Sequence, residues 1–343
     1  MQSYKRIILP FIVPLSFIYG CFIWIRNQFY NREWINVAVF NKPIISVGNI
    51  TSGGTGKTPL VIYLAQILQK QGKKPGIISR GYGRKSAGLH VVHDGKKIIV
   101  DVQTAGDEPF LMARILNNIP IIVSENRIEG IKQLIDYYYA DVIIMDDGFQ
   151  HRKVKRDLDI LTISINDTQY RLLPWGNLRE PLKNINRANY IVYTKTNNYQ
   201  LPNIQMNIQR FIKSKYLIST SIPVLMKYDN LNYKKTLPPK GSVFAFCGIG
   251  DPMSFIQSAE KLSLQIKGSR FFNDHQDYTE SIVKILTEQI HFNNINQVVT
   301  TEKDMVKLPN SFLSEFETYV IKISIEFENG VDIQNLIHPF LFD

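Results

Sequence analysis

Cysteine is nearly missing from this chain of 343 residues: Cys21 and Cys247 are the only two. They form no C-x-x-C pair and no metal-ligand spacing, which excludes a disulfide framework or a zinc ribbon and fits a reducing compartment. Acidic residues are in short supply too. Forty Lys and Arg stand against 30 Asp and Glu, a formal net charge of +10. Such an excess of base points to an anionic partner: nucleic acid, acidic lipid or a phosphorylated metabolite. No RNP-like, zinc-finger or other nucleic-acid module is present, so nucleic acid is not the expected partner. Short-period repeats and low-complexity linkers are also absent. What remains is 44% hydrophobic and 20% charged, the composition of a folded globular protein long enough for two domains.

Charge is lacking altogether from Ile7 to Ile25, IILPFIVPLSFIYGCFIWI, which lies between Lys5–Arg6 and Arg26. About nineteen helical residues at ~1.5 Å each span roughly 28 Å, close to the hydrocarbon thickness of a bilayer. Pro10 and Pro14 disturb a straight helix. No small-x-small site closes the run, so a cleaved signal peptide is the weaker reading. A membrane helix is expected, spanning or lying in the interface, with Tyr19 and Trp24 as interface anchors. A buried core helix is the alternative.

What is present is a phosphate loop. PIISV at 43–47 has strand character, and LVIYLAQILQK at 60–70 has helical apolar spacing. Between them run Gly48-Asn49-Ile50 and then Thr51, Ser52, Gly53, Gly54, Thr55, Gly56, Lys57 and Thr58. Strand, glycine loop and helix are the context that turns backbone N–H groups onto phosphate oxygens. Lys57 would reach the β- and γ-phosphates and Thr58 would bind Mg²⁺. Thr51 stands where the strict motif has glycine. A metal needs acid, and the buried-strand run 142–145 ends in Asp146 and Asp147, a Walker B-like segment. ATP and Mg²⁺ are therefore the expected cofactors.

The motifs SVGNITSGGTGKTP at 46–59, SRGYGR at 79–84, GDEP at 106–109 and DDGFQH at 146–151 occur in order. LREP at 178–181, FCGIGDP at 246–252, NDH at 273–275 and TTEKD at 300–304 follow. In series they resemble the tetraacyldisaccharide 4′-kinases, the lipid A kinases of Gram-negative bacteria. The resemblance covers nearly the whole chain and is weakest from Pro181 to Leu237. It implies an enzyme at the cytoplasmic face of the inner membrane. That enzyme transfers phosphate from ATP to the 4′-hydroxyl of a lipid A disaccharide 1-phosphate. Membrane lipid is a further expected partner, and no obligate protein partner is evident.

By residue type alone, Asp107 before the apolar run FLMARIL reads as a helix N-cap. The resemblance instead implies that Asp107 is the catalytic base, paired with His275; Gln276 stands where a second histidine is expected. It also places Arg179 and Glu180 near the active cleft, while Arg80 and Arg84, with Gly81 and Gly83 allowing close approach, could clamp phosphate or meet the substrate; Gln150 and His151 are further candidate substrate residues. A plain glycine-rich turn at 79–84 and an exposed 179–180 charge pair are the bland alternatives.

The expected fold class is α/β: a P-loop parallel-sheet domain, a second smaller α/β domain and an apolar N-terminal membrane helix. Residues 1–30 form the membrane-associated segment, 31–152 the P-loop domain and 153–325 the second domain that completes the cleft. Residues 326–343 are a tail packing back on the first domain. His90 to Val102, with Asp94-Gly95, reads as a hairpin. Rival readings are another membrane-associated P-loop ATPase, a small-metabolite kinase or ligase, and a nucleotide-gated membrane-binding module.

Overall fold

The computed structural model describes residues 2–165, 170–194, 215–229, 232–327 and 333–340. Its strands form one twisted sheet. The order is β11-β10-β12-β13-β8-β7-β6-β1-β5-β2-β4-β3, with β9 added to β8. The first half contains β1 (Ile44–Asn49), β2 (Pro75–Ser79), β3 (His90–Asp94), β4 (Pro120–Val123), β5 (Val142–Asp146), β6 (Leu158–Ser164) and β7 (Tyr190–Thr194). All its pairings are parallel except β3 with β4. Near-continuous Ile, Val and Leu runs suit strands covered on both faces. Alternation divides them: Ile45, Val47, Val142 and Ile144 enter one core, while Ile44, Ile143 and Met145 enter the opposite one. The Asp94-Gly95 turn brings Ile99 back to donate to the Val92 carbonyl, and β3 itself pairs with β4.

The second half is β8 (Lys215–Asp229), β9 (Asn232–Lys235), β10 (Ser242–Cys247), β11 (Gln265–Phe271), β12 (Gln297–Thr301) and β13 (Glu317–Phe327). β8 joins the halves. Its beginning runs parallel to β7, and its continuation pairs antiparallel with β13 from Ser219 to Lys227. The boundary expected at 152/153 falls between β5 and β6, yet both flank β1 in the same sheet. Strand pairing therefore does not break there. Of the tail expected over 326–343, residues 328–332 and 341–343 lie outside the described residues. Ile333 and Ile337 pack into the core beneath the phosphate-loop helix.

Helices cover the faces: α2 (Lys57–Lys70), α3 (Val102–Ala105), α4 (Asp107–Ile115) and α5 (Arg127–Asp136) on the first half. The second half carries α6 (Pro252–Lys261), α7 (Glu280–Phe292), α8 (Glu302–Met305) and α9 (Asn310–Glu315), while α10 (Ile333–Ile337) returns to the core of the first half.

The N-terminal helix α1 (Gln2–Asn31) is attached by one stripe. Ser16, Ile23 and Asn27 are buried, and Gly20 lies so close to Leu172 that a Cβ there would meet it at 2.9 Å. Tyr19 donates to the Arg179 carbonyl at 2.8 Å, and the Ser16 hydroxyl accepts from the Trp175 amide at 3.0 Å. The opposite face leaves Leu15, Phe17, Ile18, Phe22, Trp24, Ile25 and Phe29 in the open. Among the described residues no helix is long and apolar enough to cross a membrane. The membrane helix expected from the charge-free run is thus not supported as a span. The side chains of residues 1–11 lie outside the described part.

Candidate active site

Five parallel strands end at one place, because β2, β5, β1, β6 and β7 are neighbours pointing the same way. The carboxyl edge of such a sheet is where α/β folds put their ligands. β1 runs into the glycine loop, and Val47 is in register with Asp146 at the end of β5. Gly53 and Gly56 take φ of 124° and 79°, left-handed values that a side chain resists. Gly56 leads directly into α2, which starts at Lys57. Neighbouring strand ends brace the loop. The Thr162 hydroxyl donates to the Gly48 carbonyl at 3.1 Å and lies 2.8 Å from that of Thr55. Thr194 donates to the Thr55 carbonyl at 3.0 Å.

A second segment is zipped onto this loop. Ser52 N–H donates to the Asn177 carbonyl, Arg179 N–H donates to the Ile50 carbonyl, and Thr51 bridges Leu178. That pairing carries Arg179 to Asp147, where its guanidinium donates to both carboxylate oxygens at 3.1 and 2.9 Å. Lys57 Nζ lies 3.7 Å from the same group. Burial pushes the Asp147 carboxyl up, but Lys57 and Arg179 outweigh it and hold it below the usual range. Asp146 differs. It is fully buried, Ser79 donates to its Oδ2 at 2.8 Å, and its Oδ1 has no hydrogen-bond partner. Burial, then Glu108 and Asp147, raise its carboxyl well above the ordinary value.

The other half of the sheet brings its own carboxyl edge across. Phe272 N–H donates to the Cys247 carbonyl, and His275 N–H to that of Gly248. His275, at φ 61°, directs Nδ1 to Asp107 Oδ2 at 3.0 Å. Asp107 opens α4 after Gly106, whose φ of 87° turns the chain into the helix. Lys307 Nζ also reaches Asp107 Oδ2 at 3.0 Å, and Lys303 meets Glu108 at 3.2 Å. Glu108, next to Asp107, is close enough for its charge to act on Asp146, which links the Asp107–His275 pair to the paired aspartates.

A family model described as tetraacyldisaccharide-1-P 4′-kinase matches residues 8–339. The chain belongs to this family. A tetraacyldisaccharide 4′-kinase of Chlorobaculum parvum is 34% identical, over 93% of this chain and 91% of its own. That of Aquifex aeolicus is 34% identical, over 96% and 98%. A solved structure of LpxK from Aquifex aeolicus, described as an apo form in complex with ATP, superimposes with a TM-score of 0.79. It is 32% identical and covers 99% of this chain and 100% of that one.

Within this kinase family framework, the remaining sequence-expected residues separate by what they touch. Gln150 donates to the Asn49 carbonyl at 2.8 Å and so supports the strand leading into the loop. His151 has a buried Nε2 without a partner, and burial together with Arg127, Lys153, Arg156 and Arg80 pushes its ring down to about 4. Arg80 is exposed beside this cluster. Arg84 is not free to clamp phosphate. Its guanidinium is spent on Glu125, the Gly88 carbonyl and Ser86, holding its own loop closed. Glu180 is not substrate-facing either. It is fully buried and accepts from Arg26, Asn27, Asn184 and Arg187, clamping α1 to the protein. Sequence reading gave no role to Ser79, Glu108, Lys303 or Lys307. For the two lysines a signal existed: TTEKDMVK places them four apart, on one face of a helical turn.

Proposed function

We propose that this chain transfers the γ-phosphoryl group of ATP to the 4′-hydroxyl of a tetraacyldisaccharide 1-phosphate. The reading rests on the family match, together with the Asp107–His275 pair at the start of α4, a helix that packs against the phosphate-loop helix α2. A phosphate loop alone serves many ATPases, but a hydroxyl acceptor also needs its proton removed. The loop amides and Lys57 hold the β- and γ-phosphates. Asp107 accepts the hydroxyl proton as the acceptor oxygen bonds to phosphorus. The bond to the β–γ bridging oxygen breaks, and its electron pair leaves with ADP.

Mg²⁺ fits the residues present. Asp146 carries a buried, unpartnered oxygen and an uncompensated burial cost, which a divalent cation would offset. Asp146, Asp147 and the Thr58 hydroxyl would hold it. Among the described residues no group of three or more His, Cys, Asp or Glu side chains forms a cage. Mg²⁺ does not need one, since it commonly takes one or two carboxylates plus substrate phosphates. Bound there, it would supply positive charge to offset the negative charge that develops on the phosphates.

The test is transfer of labelled phosphate from ATP to a tetraacyldisaccharide 1-phosphate in mixed micelles. Folded, ATP-binding protein that hydrolyses ATP without labelling the lipid would return the chain to the P-loop ATPase reading.

We infer further that the open apolar face of α1 seats the enzyme on the inner membrane's cytoplasmic face. Contiguous exposed apolar surface of this kind marks a membrane or protein contact. The net charge of +10 suits an anionic lipid surface and an anionic lipid substrate. Phe17→Ser, Ile18→Ser and Phe22→Ser together remove side chains worth roughly 1.5–3 kcal/mol each when buried. Vesicle binding is expected to fall by on the order of 10²-fold or more, while ATP hydrolysis in detergent changes little. Equal sedimentation of variant and wild type with vesicles would exclude α1 as the membrane contact. Substitution is a cleaner probe than deletion: deleting α1 strips Arg26 and Asn27 from the buried Glu180, leaving it only Arg187 and Asn184, and so disturbs the fold as well.

A further inference from the structure

Lys307 is explained neither by the phosphate loop nor by a two-residue base. Its side chain is 4% exposed, and its ammonium meets one carboxylate, Asp107. Burying an ammonium is costly unless the partner is well placed. Lys307 Nζ and His275 Nδ1 both lie 3.0 Å from the same atom, Asp107 Oδ2. Oδ1 has no partner among the described residues. The carboxylate torsion of an aspartate is broad, so a single contact leaves the plane free to turn. Two groups converging on Oδ2 fix the plane, and Oδ1 is the oxygen they leave uncommitted.

The frame behind these groups is shared. Asp304 accepts from the Gly248 amide at 3.0 Å and from the Thr301 hydroxyl at 2.7 Å. Its own carbonyl accepts from Lys307 N–H at 3.0 Å, while the Gly248 carbonyl accepts from His275 N–H at 3.2 Å. One buried carboxylate thus ties the backbone bearing Lys307 to the backbone bearing His275. One turn earlier, Lys303 meets Glu108 at 3.2 Å, so α8 and its following turn hold adjacent acids at the start of α4.

We propose that Lys307 is a positioning residue for phosphoryl transfer: with His275 it fixes Asp107 Oδ2, so that Oδ1 is the oxygen presented to the acceptor hydroxyl. This rests on the reading of Asp107 as the base. Lys307 also affects the charge of the site. Burial pushes the Asp107 carboxyl up, and His275 with Lys307 more than reverse it. Around Asp107 stand His275 and Asp274 from the loop after β11, Tyr278 beyond them, Lys303, Asp304 and Lys307 at α8, and Glu108 on α4. The Lys85–Asp277 ion pair lies further out and is well exposed. Removing the Lys307 charge should raise the Asp107 carboxyl, so the acid limb of the rate profile should move to higher pH.

The experiment compares Lys307→Met, Lys307→Gln, Asp107→Asn and the Lys307→Met/Asp107→Asn double variant. Each is checked by thermal melting and assayed for kcat, KM for ATP and the pH dependence of kcat. Lys307→Met should lower kcat by ~10²-fold, the scale of a misplaced reacting group, with KM for ATP unchanged. In the Asp107→Asn background the same change should cost nothing more. Lys307→Gln, which keeps a donor but no charge, should retain part of the rate and still shift the acid limb upward. An unimpaired Lys307→Met beside an impaired Asp107→Asn overturns the positioning role. So does a loss of the same size with and without the Asp107 carboxylate. Should Lys307→Met not fold, an unmoved acid limb in Lys307→Gln overturns it instead. An unimpaired Asp107→Asn sinks the base reading itself, a result distinguishable from all of these.

Discussion

Lys57→Ala is expected to lower kcat by ~10²- to 10³-fold and to leave the melting temperature nearly unchanged. Lys57 is the first residue of α2, and among the described residues its ammonium makes one ion pair, 3.7 Å from an Asp147 already held by a forked contact from one Arg179 nitrogen. Little of the fold depends on it. Its proposed chemical task is different: on this reading it offsets the charge that develops on the β- and γ-phosphates, and losing one preorganised donor at such a place costs about 10² to 10³ in rate. Asp146→Asn should be equally damaging for another reason, because on the proposed reading it removes a Mg²⁺ ligand. Its effect on stability should have the opposite sign to most buried substitutions. The Asp146 carboxyl is raised in the folded state, so without metal its contribution to stability is lost as pH rises from the unfolded pKa through the folded one. The neutral amide avoids that loss. Metal-free Asp146→Asn should therefore melt higher than wild type at pH 8 and about the same at low pH. Phosphoryl transfer with Mg-ATP, paired with melts at both pH values, checks the two together. Near-normal turnover in folded Lys57→Ala would remove it from the phosphate cradle.

The first half of the sheet was legible because its strands are short, apolar and bounded by glycine or acid. Val142 to Asp146 reads as a buried strand ending in a charge, and that is what forms. β8 and β11 were not legible. Lys215 to Asp229 carries Pro223 and three Ser or Thr residues, and its length makes sense only against β13, some hundred residues later. QIKGSRF in β11 is an exposed edge strand with no apolar alternation to detect. The same limit explains the site. The glycine loop is a local motif and was read directly. Glu180 beside Arg179 looks like a surface pair until α1 brings Arg26 and Asn27 from about 150 residues away. Asp107 looks like a helix cap until His275 arrives. Its pairing was accessible through family resemblance, whereas Lys307 needed the three-dimensional contact.

The Asp107–His275 pair is expected to behave as one unit. An aspartate has a reference pKa near ~3.9, and here it is held lower still, so it is a weak base on its own. Two properties compensate. The carboxylate is ionised at neutral pH, and on the proposed reading it takes the acceptor proton as phosphorus is attacked. His275 holds Oδ2 from across the cleft and can share the proton once it has been taken, which links the second half of the sheet to chemistry on the first. His275→Asn and Asp107→Asn should each lower kcat by ~10² to 10⁴, the usual range for positioned acid–base help. ATP affinity should change little, since Lys57 and the loop backbone hold the phosphates. The double variant should be scarcely worse than the worse single one, because residues acting through one bond lose that bond only once. Single-turnover rates at saturating ATP and lipid, for both singles and the double, decide it. If the two losses multiply, Asp107 and His275 act independently, and His275 would then be assigned to the acceptor rather than to the base.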